Sequence, residues 1–233
     1  MSKKIIILLI GILVLNFFSL YIYNTNKNTN KISTDDKNII AEIPEANIRL
    51  YYKKEENGMY KNLALEIDKM KYLFCWKNTN NPVYNPKLIL SDLNQDGHEE
   101  VIVILTKDIG KEVNLQEVHV IETNKMVERE IENPIHIIYK NVKTKLSSEY
   151  AEITINNNTQ VLDKKYIDTE SQNLLKDIAF DNFINFEVEE NKLYAVIPAQ
   201  VGSSSFVGNI KISYIFQGKM YVMETIDFIP IER

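Results

Sequence analysis

Leu88-Ile89-Leu90-Ser91-Asp92-Leu93-Asn94-Gln95-Asp96-Gly97-His98-Glu99-Glu100-Val101-Ile102-Val103-Ile104-Leu105 is the stretch on which the fold turns. It reads as strand, polar loop, strand. The second apolar run does not alternate, as a strand with one wet face would. Five consecutive aliphatic residues, four of them β-branched, require cover on both faces, so 101–105 is expected to be a central strand.

Outward from this pair, strand signals dominate. Ile48, Leu50 and Tyr52 alternate within 47–52. Glu55-Glu56-Asn57-Gly58 is a turn whose Asn-Gly pair marks a hairpin, and 59–67 is expected to return as the partner strand. Residues 71–76 form a further strand candidate, and Pro82 and Pro86 punctuate the loop behind it. Strands are also expected over 117–121 and 152–155. Two late hairpins follow, 186–189 with 193–197 and 209–216 with 220–224, around Glu190-Asn191-Lys192 and Gln217-Gly218-Lys219. One short helix is expected over 169–178, capped by Asp168 or Thr169, with Leu174, Leu175 and Ile178 on its apolar face. Residues 124–150 carry no decisive pattern. The expected fold class is mainly β, with antiparallel sheets arranged as a sandwich or a partial propeller-like array.

Ahead of this domain, Lys3 and Lys4 precede an apolar run from Ile5 to Tyr23. Such a segment spans roughly 28 Å as a helix at about 1.5 Å per residue, close to a bilayer core. Basic residues before it favour an N-terminus in the cytoplasm. No small-x-small cleavage motif ends the run, so an uncleaved single-pass transmembrane helix is expected, with secretion as the alternative if it is cut. Residues 24–46 are rich in Asn, Thr, Lys and Asp and read as a flexible tether. The expected organisation is a membrane anchor over 1–23, a tether over 24–46 and an extracytoplasmic domain over 47–233, with a sub-boundary near 140–150.

Composition narrows the function classes. The chain has 233 residues, 25% charged and 45% hydrophobic, which is ordinary for a globular protein. Its formal charge of −5 comes from 32 acidic and 27 basic residues without a Lys/Arg cluster, so no nucleic-acid partner is indicated. Cys75 is the sole cysteine, which excludes an internal disulfide scaffold and leaves only an intermolecular one open. Within Leu73-Phe74-Cys75-Trp76 its expected place is the core.

The loop from Asp92 to Glu100 carries the one motif with chemistry. Oxygen side chains fall at positions 1, 3, 5 and 9, with Gly97 at position 6. Ca²⁺ needs six to eight oxygens, and a tight loop supplies them by turning alternate side chains inward. A helical EF-hand needs Glu at position 12, where this chain has Val103 in an apparent strand. The strand–DxNxDG–strand segment Leu88–Leu105 instead resembles the calcium loops of FG-GAP and VCBS repeats. That resemblance implies Asp92, Asn94, Asp96, the His98 carbonyl and Glu100 as ligands of a structural Ca²⁺. This chain has one copy of the loop, and Glu where the family has Asp at position 9. More widely, Trp76–Tyr84, Val118-His119-Val120 and Gly208–Ile212 resemble a family of uncharacterised exported proteins of Gram-positive bacteria, which implies location but no activity. A solvated hairpin turn is the alternative for the loop, since Asp, Asn and Gly form turns without metal.

His98, His119 and His136 are widely spaced and lack a zinc-binding helix pattern. No GxSxG, P-loop or GxGxxG occurs. The expected function is therefore a binding or structural module at the cell surface, with a protein or glycan partner. A hydrolase built from scattered carboxylates and a regulatory partner of another membrane protein are the alternatives.

Overall fold

Val101 to Leu105 are between 0% and 3% exposed, and the architecture follows from that run. In the computed structural model, which describes residues 38–110, 113–167 and 173–232, they lie in β9 (Glu100–Gly110). Val101, Val103 and Leu105 point into one apolar core, and Ile102 and Ile104 into another. The expectation of a strand covered on both faces holds.

The first core is closed by an antiparallel sheet in the order β1 (Ile39–Ile43), β2 (Ile48–Tyr51), β5 (Ala64–Ile67) and β6 (Met70–Leu73). Ile48, Leu50, Leu65 and Trp76 pack there against β9. A ribbon of β3 (Lys54–Glu56), β4 (Met59–Lys61) and β7 (Lys77–Thr79) stands beside it. Asn57 and Gly58 make the expected turn, with φ of 53° and 73°. The expected strand over 59–67 is broken in two at Asn62, which sits at φ 53°. Asn78 is fully buried and satisfied: its amide donates to the carbonyls of Thr79 and Tyr84 and accepts from the Thr106 N–H, tying β7 to β9.

The larger sheet runs β8 (Lys87–Ser91), β9, β10 (Val113–Glu122), β16 (Phe183–Glu189), β17 (Lys192–Gly202), β18 (Ser205–Gln217) and β19 (Met220–Pro230). β11 (Val127–Ile131) pairs with both β19 and β10, so six of these strands close into a ring. Two of the ring's contacts, β10 with β16 and β11 with β19, are short and parallel; its other pairings are antiparallel. The second core collects Ile102, Ile104, the inward residues of β17 to β19, and the inner face of a small sheet of β12 (Val142–Leu146), β13 (Tyr150–Ile155) and β14 (Asn158–Asp163).

Three expectations are corrected. The helix expected over 169–178 is not formed where it can be seen: 168–172 lie outside the described residues, and Leu174–Ala179 is β15, paired with β17. The edge of β17 offers hydrogen bonds and apolar cover, which outweigh local propensity. The helix lies in the undecided region, as α1 (Pro134–Asn141), with the Asn133 side chain accepting from the Ile135 and His136 N–H groups. The tether is shorter than expected at its C-terminal end, because Ile39–Ile43 is already β1. Cys75 is exposed, while Trp76 beside it is buried; an extended segment turns neighbouring side chains to opposite sides. The expected transmembrane segment lies outside the described residues, and among these no helix is long and apolar enough to cross a membrane.

Candidate functional site

The loop that joins β8 to β9 is fastened at both ends. Ser91 Oγ donates to Asn191 Oδ1 at 2.8 Å, and Thr123 Oγ1 donates to the Glu99 carbonyl at 2.9 Å. Leu93, 7% exposed, plugs the loop into the second core. Strands flank it, as expected. Gly97 sits at φ 86°, where a side chain would be strained.

Inside the loop the expected ligand residues form one network. Asp92 accepts from the N–H groups of Asp96 and Gly97, both at 3.0 Å. Asn94 Oδ1 accepts from the Asp96 N–H at 2.8 Å, and Asp96 accepts from the His98 N–H at 2.9 Å. Asn94 Nδ2 reaches Glu100 Oε1 at 2.6 Å and Asp96 Oδ2 at 3.3 Å. The structure thus brings together Asp92, Asn94, Asp96 and Glu100, while His98 joins through its N–H. Among the described residues, no group of three or more His, Cys, Asp and Glu side chains is arranged to hold a metal ion.

Glu100 is the unusual member. It is 1% exposed. Burial pushes its carboxyl pKa up, and Asp96 and Asp92 add to the shift against the N–H groups of Leu93 and Asn94. Among the described residues no Lys, Arg or His pairs with it. The Asn94 amide nitrogen stands where a positive charge would relieve the two carboxylates. The donor set, carboxylates and an amide that can turn its oxygen inward, is hard and suits Ca²⁺. Nearby, Tyr221 is buried with a hydroxyl that has no hydrogen-bond partner among the described residues. Its pKa is pushed far up, first by burial and then by Glu100, Glu122 and Asp92, which marks the negative potential beneath the loop.

A second cluster was not singled out from the sequence. β10 pairs with β16 only at Asn114 and Leu115, and with β11 only from Val120 to Glu122. Between these stretches opens a cavity of about 430 Å³, lined among others by Lys107, Glu117, His119, Glu128 and Phe186. His119 Nδ1 lies 2.6 Å from Glu128 Oε1, and Nε2 lies 3.6 Å from Glu117 Oε2. Lys107 Nζ is 3.1 Å from the same Glu117 oxygen. Contact with His119, and then with Lys107, holds Glu117 at about 2, well below the usual carboxylate range. The only sequence signal was the two-residue spacing of Glu117 and His119, which puts both on one face of a strand.

The chain matches no family model, no curated protein and no solved structure.

Proposed function

We propose that the chain is a membrane-anchored extracytoplasmic β-rich module that binds or supports a protein or glycan at the cell surface, and that Ca²⁺ stiffens its acidic loop. One observation carries the ion: a buried carboxylate, Glu100, is drawn against Asp92 and Asp96 with no cationic side chain among the described residues to balance it. A divalent cation supplies that charge, and the oxygens it requires lie within one loop whose ends are fastened. The likeness of Leu88–Leu105 to FG-GAP and VCBS loops supports the same reading. The anchor rests on the apolar run Ile5–Tyr23 behind Lys3 and Lys4.

Thermal unfolding of the full chain in millimolar Ca²⁺ and in chelator tests the ion. Binding to the native state at 100 times Kd stabilises by about 2.7 kcal/mol. For a domain of this size that raises the midpoint by roughly 5–10 °C. Asp92→Ala is expected to abolish the rise. Equal midpoints with and without Ca²⁺ refute the ion site. Cell fractionation tests the anchor: the full-length chain is expected with membranes, and recovery in the cytosol refutes it.

A further inference from the structure

The Glu117–His119–Glu128 cluster does more than line a cavity. His119 is buried, its side chain 9% exposed, and its ring stacks on Trp76 at 4.2 Å between centroids. Trp76 in turn stacks on Phe74 at 3.8 Å. The imidazole therefore joins three segments: β10, to which it belongs; β11, through Glu128; and the segment 74–76, through the indole.

Neither protonation state of His119 is fully satisfied. With Nδ1–H donating to Glu128, a neutral ring buries a bare Nε2 lone pair facing the Glu117 carboxylate. A protonated ring buries an Nε2–H that lies 3.6 Å from that carboxylate, too far for a good hydrogen bond but close enough for an ion pair. The charged state also gains a cation–π contact with Trp76. The charged groups facing the ring are Glu117 on its own strand and Glu128 on β11. Lys107 on β9 bears on Glu117, Arg129 is committed to Glu122, and Glu130 and Glu132 line the cavity farther along. The segment 74–76 brings no Asp, Glu, Lys, Arg or His.

We propose that Glu117, His119, Glu128 and Trp76 form a proton-operated clamp. Protonated His119 ties β10 to β11 and holds the segment 74–76 against the larger sheet, and loss of its Nε2 proton slackens both ties. The proposal is independent of any cation in the acidic loop. Burial opposes the charge on His119 and is the largest single influence, yet Glu117 and Glu128 together raise its pKa above the ordinary value. The clamp's contribution to stability is therefore complete below about 6.5, the ordinary histidine value, and is lost as pH rises through the raised one.

Trp76 is the sole tryptophan, so its emission reports the clamp directly. In the full chain, emission is expected to fall as pH is lowered from 9 to 5, because a protonated imidazole quenches a stacked indole. The midpoint is expected above about 6.5. His119→Gln is expected to abolish the titration, and Glu117→Gln or Glu128→Gln to move its midpoint to lower pH, while His98→Gln and His136→Gln leave it in place. A flat wild-type profile, or a transition that survives His119→Gln, overturns the clamp. Should His119→Gln fail to fold, proton NMR of the wild-type histidines decides: the imidazole shifted upfield by the Trp76 ring titrates above about 6.5 if the clamp exists, and at or below it if not.

Discussion

Glu100 and Glu122 face each other across β9 and β10, in register, and both are buried, at 1% and 3% exposure. Their surroundings differ in one respect. Glu122 is held by Lys125 and by Arg129, whose Nε donates at 2.7 Å. Lys125 first, and then Arg129, pull its pKa down despite burial. Among the described residues Glu100 receives only N–H groups, and its pKa rises. Two identical side chains at paired positions are thus one settled and one short of a positive charge. The lesson is that burial alone does not decide a carboxylate's state; the presence of a cation does.

Arg129→Ala should cost the most, about 3–5 kcal/mol in urea unfolding at pH 7, because it strips a buried carboxylate of a partner. A loss below about 1 kcal/mol would mean that Glu122 is not held as described. Glu122→Gln should cost less, about 1–3 kcal/mol, since the change removes the charge along with its ion pairs. Glu100→Gln in chelator should fall within about 1 kcal/mol of wild type, because the charge it removes is unbalanced. The same variant in Ca²⁺ should lose the cation's stabilisation.

The smallest effect is in the pH profile, and its sign differs between the two. A lowered carboxylate contributes stability above its unfolded value, near 4.5, that is lost as pH falls through the folded one; this is Glu122. A raised carboxylate costs stability once pH exceeds its folded value, and that cost lifts on acidification; this is Glu100. In chelator, any advantage of Glu100→Gln should therefore shrink between pH 7 and about pH 4.5, while the deficit of Glu122→Gln should shrink only below it. Parallel melting profiles for the two variants would erase the distinction.

Much of the strand content was legible because its periodicity is local. The double-sided run 101–105, the Asn57-Gly58 turn and the two late hairpins all formed where the pattern placed them. The acidic loop was legible too, since Asp92, Asn94, Asp96 and Glu100 lie within nine residues and meet in one network. Other features were not legible, for identifiable reasons. Cys75 faces outward because the ring stack of that segment is built from half-buried Phe74 and buried Trp76. Gly208 is required because a Cβ there would stand 2.4 Å from the Ile229 carbonyl on the neighbouring strand, a contact set 21 residues away. The His119 cluster joins side chains of β9, β10 and β11 with a tryptophan 43 positions upstream, and no spacing announces it.

Taken by itself, the chain of residues determined that the protein is built of strands, that one of them runs between two cores, and that oxygen-bearing side chains crowd the loop ahead of it. These follow from steric preference and from the period of hydrophobic residues, which act over a few positions. Closure of six strands into a ring, the choice of which carboxylate receives Arg129, and the placing of His119 on Trp76 were decided only in the folded molecule. Each depends on contacts between distant segments, and a charge or a ring acquires its energy from the neighbours that packing brings to it.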